Sequence, residues 1–473
     1  MDKETNGIDQ GWTSSQFHLI KRGSTHLIFD VNNLSLLEVD PLTYEAFLLR
    51  LEGRKMEDAI DKGDRLKELY KILGKKDLVA TKSKPDMPGG IQKSVLERLV
   101  LNISNDCNLS CKYCYASAGN YGEERTLMKE EVAIKTIDYF YNIYNEINSI
   151  QFFGGEPLLN IQVIEALCEY INKKYCANEI DKSPLYAIVT NGTLISPEIF
   201  QVLSKYDIKV TVSIDGPQLI HDHLRGAGTF EEIIRNIQYL KDNGIEVGIE
   251  CTFTNYHLIN DIDVTDLMEF FYEQLGLHVT HIPFVAAIND DTLQISTEDL
   301  VKSYSEATRF ALESLNNDNY KVDSYTLRLL RAIAFKKAIG VYCPAGVNTL
   351  SVSAKGDIYP CFMFTGNEEF LIGNVLENKT DSSKLFAVSN ILKKINKWSD
   401  PKCSACWAKS LCFGCLGNDY IVSGSVVNKP NCEFIKKLIE SFLLNFSKIS
   451  EDTATLSRII SLSGPIELEN IET

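Results

Sequence analysis

The stretch LVLNISNDCNLSCKYCY, residues 99–115, runs from an apolar, strand-like segment into three cysteines, Cys107, Cys111 and Cys114. Their spacing is C-x3-C-x2-C, with Tyr113 just before the last. Three thiolates on a four-iron cluster leave one iron open. Simple electron transfer favours four cysteines that close the cluster, whereas an open iron suits a molecule that chelates it. Structural zinc is the alternative, and it wants a fourth ligand that this stretch lacks.

Outward from the triplet, strand-like runs alternate with amphipathic helical ones. The strand-like runs are LERLVLNIS, SIQFFGGEP, LYAIVTNG, IKVTVSID, IEVGIECTF and HVTHIPFV, and between them lie stretches such as EEVAIKTIDYFYNIY, IQVIEALCEYINKKY and FEEIIRNIQYLKDNG. Parallel neighbours require crossovers, so six such units predict an α/β fold, a partial (β/α)6 TIM-type barrel over residues 95–325. Catalytic groups in such folds gather at the carboxyl ends of strands. The triplet, Gly154-Gly155-Glu156-Pro157 and Ser213-Ile214-Asp215-Gly216-Pro217 each end one of those runs.

Before the barrel, FHLIKRG, HLIFDV and LSLLEVD read as three short strands with turns at Gly23-Ser24 and Asn32-Asn33. Three helical segments follow. Asp40 caps the first, Pro41 opens it, and Phe47, Leu48 and Leu51 are expected on its apolar face. Leu66, Leu69, Tyr70 and Leu73 give a later segment helical spacing that ends at Gly74. The stretch KSKPDMPGG, residues 82–90, has the composition of a linker and closes a small domain spanning residues 15–81. The first ten residues read as frayed. After about Ser324 the chain turns cysteine-rich and loop-rich until a helix near Glu433 to Leu444, in a third domain placed at residues 340–447. The fold of the tail from about Ser447 is not legible.

A 473-residue chain with 44% hydrophobic and 24% charged residues has the composition of a folded protein of several domains. A net charge of −16 opposes nucleic acid or an anionic membrane as partner. The beginning, MDKETNGIDQ, has no cationic region and no apolar run, and no stretch of about 18 apolar residues follows. A cytoplasmic protein is expected. Thirteen cysteines in a reducing compartment stay available to metals. Cys168, Cys176 and Cys251 lie outside the clusters and read as small buried hydrophobes. His221 and His223, which flank Asp222, read as capping or turn residues.

The triplet and its strand-ending companions resemble the radical S-adenosylmethionine (SAM) superfamily over about Leu99 to Val285. The resemblance implies that Cys107, Cys111 and Cys114 hold a [4Fe–4S] cluster whose open iron binds the methionine part of S-adenosyl-L-methionine. Reduction then yields a 5′-deoxyadenosyl radical that abstracts hydrogen. Gly154, Gly155 and Glu156 resemble the motif that meets the methionine ammonium, where glycine allows close backbone approach. Ser213 and Asp215 resemble the element that contacts the cofactor's ribose or carboxylate, and Tyr113 is the aromatic residue of the signature. Arg225 is read either as neutralising a carboxylate or as a turn residue, and Thr190-Asn191-Gly192 as a strand-ending turn.

The late cysteines, Cys343, Cys361, Cys403, Cys406, Cys412, Cys415 and Cys432, resemble the SPASM extension of peptide-modifying radical enzymes over about Val341 to Cys432. That resemblance implies two auxiliary [4Fe–4S] clusters. Two residues separate Cys412 from Cys415 where the family often has three, and paired C-x2-C units also suit zinc. The family's interleaved ligation gives Cys403, Cys406, Cys412 and Cys432 to one cluster and leaves Cys343, Cys361 and Cys415 for the other. Relatives that close this second set add a cysteine just upstream, but AFKKAIGVY contains none. The expectation is an open iron that binds and deprotonates a substrate thiolate. Sulfatase-maturing relatives place a basic aspartate where this chain has Phe362, which cannot remove a proton.

The amino-terminal strands and helices resemble a winged-helix-like, PqqD-like domain that takes up a leader peptide as an added strand, a structural cap or oligomerisation module being the alternative. Together these features identify the sequence as resembling thioether-forming maturases of the ranthipeptide or sactipeptide type. Such an enzyme acts on a ribosomal precursor peptide and draws electrons from an external donor such as flavodoxin or ferredoxin. Other radical peptide modifications, namely carbon–carbon crosslinking, epimerisation, or oxidation of cysteine or serine, stay open, as does a noncatalytic iron–sulfur or zinc protein.

Overall fold

The computed structural model describes residues 13, 15–54, 63–73, 95–286, 290–377, 382–394, 397–449 and 453–462. The expected linker, Gly74, the middle one of the three amino-terminal helices and the first ten residues lie outside them.

Three antiparallel strands open the described chain: β1 (Phe17–Arg22), β2 (Thr25–Asp30) and β3 (Ser35–Glu38), in the order β1-β2-β3. Gly23 supplies the positive φ of the first turn. The Asp30 carboxylate shapes the second by accepting from the N–H groups of Asn32 and Asn33, each at 3.0 Å. Asp40 caps the helix Pro41–Leu51 as expected, accepting from Leu42 N and Thr43 N at 2.9 and 3.2 Å. Its buried face differs from the expected one. Ala46 and Leu49 are buried against Leu66 and Tyr70 of the helix Asp64–Leu73, while Phe47 turns to meet Phe17 edge-on. The second helix claims the Ala46 stripe, a choice invisible in one helix's periodicity.

The central strand, β4 (Val95–Ser104), is followed by β5 (Glu146–Gly154), β6 (Leu185–Thr190), β7 (Lys209–Ser213) and β8 (Val247–Glu250), each paired in parallel with the one before. Helices Glu130–Tyr141, Ile161–Cys176, Pro197–Lys205 and Thr229–Asp242 make the crossovers and bury apolar stripes such as Ile164, Leu167 and Ile171 on the outer face. The sixth expected unit does not join this sheet as a strand. Isolated bridges, Glu250 to His281 and Phe253 to Phe284, with backbone bonds such as Cys251 N to His281 O at 2.9 Å, lay HVTHIPFV along β8 and the residues just after it. Its short β9 (Val279–Thr280) pairs instead with β10 (Val322–Asp323).

The sheet grows at its other edge. Beyond the barrel residues, β11 (Thr349–Val352) lies parallel to β4, and β12 (Asp357–Tyr359) and β13 (Gly373–Asn374) continue antiparallel, so the full order is β13-β12-β11-β4-β5-β6-β7-β8. An unpaired β4 edge would expose a row of backbone donors and acceptors, and β11 covers it. Helices Ser324–Ala334 and Ser382–Lys394 interrupt the segment expected to be loop-rich. The anticipated late helix is Cys432–Phe446, with Phe434 packed edge-on to Tyr304 and Phe284. The tail forms a helix, Thr453–Leu462, pinned by Arg458 to Asp318 at 2.5 Å.

Candidate active site

The triplet occupies the loop after β4, and glycines hold that loop against the end of β5. Gly155 N donates to Ser104 O at 2.7 Å and Glu156 N to Asp106 O at 2.8 Å. A Cβ on Gly154 would stand 2.3 Å from Ser104 O, and one on Gly155 would stand 2.2 Å from Asp106 O. The close approach that these glycines permit is therefore to the chain's own cysteine loop. Gly119 closes the same seam, because its Cβ would meet Gly155 Cα at 2.5 Å. All three thiols are partly exposed and none forms a disulfide.

Glu156 is fully buried, and its carboxylate accepts from Leu158 N at 2.9 Å, Thr190 Oγ1 at 2.7 Å and Asn191 N at 2.7 Å. Burial pushes its pKa up to about 7, against the pull of those donors. The carboxylate thus braces the turn after β6. That turn was read as a simple strand end, yet Asn191 reaches the cysteine loop: its Nδ2 donates to Asn108 Oδ1 at 2.8 Å and lies 3.9 Å from Cys107 Sγ. Asn105 is buried beside the triplet with both side-chain polar atoms unpartnered among the described residues.

Asp215 and Arg225 form one buried unit. Arg225 Nε donates to Asp215 Oδ2 at 2.9 Å and Nη2 to Oδ1 at 3.2 Å, while Tyr113 OH and Thr252 N donate to the same carboxylate at 2.6 and 3.0 Å. Burial disfavours the Asp215 charge, but the Arg225 charge, together with His221 and the hydrogen bonds from Arg225 and Tyr113, outweighs it and keeps the group below the ordinary carboxylate range. Tyr113 therefore ties the cysteine loop to the ends of β7 and β8. Arg225 is therefore the buried partner of the Asp215 carboxylate rather than a surface residue. Ser213 is buried at the end of β7. The two flanking histidines part company: His221 is buried behind Asp215, whereas His223 stacks on Tyr256 at 3.7 Å.

The late cysteines gather in two places. Cys415 is influenced by the charges of Cys343 and Cys361, and Cys361 in turn by that of Cys343, so the three thiols share one neighbourhood. Met363 Sδ lies 3.5 Å from Cys415 Sγ. Cys412 is surrounded by Cys432, Cys406 and Cys403. The buried Lys397 donates to Cys412 O at 2.5 Å, and burial pushes its amine down to about 7. Among the described residues no three Cys, His, Asp or Glu side chains converge on a point where a single ion would sit. Of the remaining cysteines, Cys168 and Cys251 are buried, but Cys176 is exposed at a helix end, contrary to expectation.

Residues 101–271 match the radical SAM superfamily. Over those residues the chain resembles a radical SAM domain. It is 40% identical over 167 residues to an uncharacterised protein of Methanocaldococcus jannaschii, a match covering 34% of this chain and 55% of that one. The chain thus spans about half the length of that relative. The radical SAM cyclopropyl synthase TigE of Paramaledivibacter caminithermalis is 26% identical over 74% of both chains. The cysteine-type anaerobic sulfatase-maturating enzyme of Clostridium novyi is 28% identical over 76% of this chain and 98% of its own. The solved anSMEcpe with bound AdoMet shares the fold at TM-score 0.64 and 22% identity, covering 78% of this chain and 99% of that one; another structure of it also holds a peptide.

A radical SAM domain implies S-adenosylmethionine and one four-iron cluster. The residues fit both. Three unpaired thiols lie on a loop locked to β5, and the buried Asn105 amide has donor and acceptor capacity to spare beside them. The barrel's inner face adds the unpartnered Asn102 Oδ1 and Gln151 Oε1. Asn105, Asn108 and Asn191 were missed because no spacing marks them; only the closure of the β4, β5 and β6 ends brings them together.

Proposed function

We propose that this chain is a radical S-adenosylmethionine enzyme that installs thioether crosslinks, cysteine sulfur to carbon, in a ribosomally made precursor peptide. The observation that carries the reading is the second incomplete set, Cys343, Cys361 and Cys415, grouped together with no further cysteine just upstream of Cys343. The cofactor and first cluster would supply the carbon radical. Cys107, Cys111 and Cys114 hold that cluster, while Gly154, Gly155, Glu156, Ser213 and Asn105 bind or brace the cofactor. Tyr113, Asp215 and Arg225 fix the loop that carries the thiols. Cys403, Cys406, Cys412 and Cys432 hold a closed auxiliary cluster, and the second set presents an iron to the substrate thiolate. The Met363 thioether beside Cys415 is a weak, neutral donor that a thiolate displaces.

The leader docks as a strand beside β3, whose outer edge is unpaired among the described residues and where Leu37 is 53% exposed. Electrons come from a flavodoxin or ferredoxin in the cytoplasm. No described helix is long and apolar enough to cross a membrane.

One rival draws on a specific match. The near full-length alignment to the sulfatase-maturating enzyme favours oxidation of a cysteine or serine. Against it, Phe362 follows Cys361 and packs on Phe153 of the barrel at 4.3 Å, leaving no base at that place. The deciding experiment is anaerobic reaction with the cysteine-containing small peptide encoded beside the gene, read by tandem mass spectrometry and thiol counting. Each crosslink removes two hydrogens and one free thiol, and Cys111→Ala abolishes both product and 5′-deoxyadenosine. Loss of hydrogens with every thiol still free rules out thioether formation.

A further inference from the structure

Arg98 lies in the first half of β4 and is 5% exposed. Its Nε and Nη1 have no hydrogen-bond partner among the described residues, and no carboxylate pairs with it there. A guanidinium left buried without a countercharge costs several kcal/mol. The groups that work against that burial are sulfur: the thiols of Cys361, Cys343 and Cys415, in that order apart from the opposing cation Arg328. The backbone explains how a barrel residue comes to face late cysteines. Arg98 pairs with Thr349 of β11, and its N–H donates to Asn348 O at 3.1 Å, which ties β4 to the chain between Cys343 and Cys361. One step along the same face, Val100 pairs with Ser351 and Gln151, and Ser351 Oγ and Gln151 Oε1 are also buried without partners among the described residues. Polar atoms with unspent hydrogen-bonding capacity thus share one face of the sheet, and Arg98 among them feels the late thiols.

We propose that Arg98 is a positioning residue for the four-iron cluster of Cys343, Cys361 and Cys415, giving Nε–H and Nη1–H to its sulfur atoms and holding positive charge against its reduced state. The proposal rests on the reading of that set as a cluster site. N–H donors to cluster sulfurs and a buried cation are levers that raise a cluster's reduction potential. Joining a carbon radical to a thiolate forms the C–S bond and leaves one electron over, and the Arg98 charge favours its receipt by the neighbouring cluster. Without Arg98 the same four irons would be a poorer electron acceptor.

The test uses the full chain, reconstituted anaerobically, with Cys107→Ala, Cys111→Ala and Cys114→Ala removing the first cluster. Potentiometric electron paramagnetic resonance follows the signal that disappears when Cys361→Ala is added. In Arg98→Met that signal shifts to lower potential by tenfold or more in the reduced-to-oxidised ratio at a fixed poise, about 59 mV for a one-electron couple. Arg98→Lys, which keeps the charge, stays nearer the parent. If Arg98→Met fails to hold the iron, retention by Arg98→Lys supports the same role. An unchanged midpoint in Arg98→Met overturns the proposal, as does an equal displacement or equal iron loss in both variants, which marks Arg98 as packing only. A parent with no Cys361-dependent signal removes the cluster reading itself, an outcome that iron counting separates from the others.

Discussion

His221 shows how much one side chain can fix behind a candidate active site. Its Nδ1 accepts from Asp215 N at 3.2 Å, and its Nε2 lies 3.1 Å from Thr229 Oγ1, whose own proton goes to Gly226 O. The ring is therefore neutral with the proton on Nε2. Burial holds its pKa down to about 4, from 6.5. The stability it contributes is fully present above pH 6.5 and drains away as the pH falls towards 4, because the unfolded chain takes the proton first. Denaturation midpoints of the iron-free chain at pH 7.5 and 5 should therefore lie closer together in His221→Gln than in the parent, by up to about 2 kcal/mol of the linked loss. Tyr113→Phe keeps the ring but removes the donor to the ionised Asp215. It should cost about 1.5–3 kcal/mol in the same assay, and iron retention by the first site should fall with it.

Between residue and fold, the ends of strands carry the site. The seam between the cysteine loop and β5 has backbone on both sides, so it cannot yield as a flexible side chain would. Gly155→Ala should cost about 1–3 kcal/mol and lower the iron bound by a chain whose late cysteines are intact. Gly248→Ala in β8 is the control: its Cβ would meet nothing nearer than Thr211 Oγ1 at 3.6 Å, so iron content and stability should hold. The covering strand β11 belongs to this scale too. It carries the segment between Cys343 and Cys361 to the edge of β4, which places a barrel arginine among late thiols.

Across the whole molecule, the amino-terminal sheet and the cysteine-rich segment meet. His18 of β1 stacks on Trp407 at 3.6 Å and lies 3.6 Å from Glu440, and Lys336 Nζ donates to Leu34 O at 2.6 Å. Ile20, Leu27, Phe29 and Val31 share the main core. The leader docking proposed for β3 would thus be coupled mechanically to the elements that carry the late cysteines. Trp407→Ala should raise hydrogen exchange in β1 and β2 while β4 to β8 keep their protection. Iron removal by a chelator should raise exchange across residues 397–432 first. On the proposed reading that segment spends its cysteines on metal rather than on packing, whereas the parallel strands bury Leu99, Leu101, Ile150 and Ile188 completely.

The sequence by itself determined the α/β alternation, the three amino-terminal strands, the Asp40 cap and the triplet at the end of β4, because period, turn residues and ligand spacing are local properties. It also set Cys343, Cys361 and Cys415 apart as an incomplete set, though only through resemblance. The tertiary structure alone decided the rest. It added β11 to the β4 edge, left HVTHIPFV tied to the opposite edge by isolated bridges, joined Arg225 to Asp215, made Asn191 a neighbour of Cys107, and buried Arg98 where the charges of the late thiols reach it. Each of these depends on which strand ends close together and which open edge must be covered, and no window of sequence contains both partners.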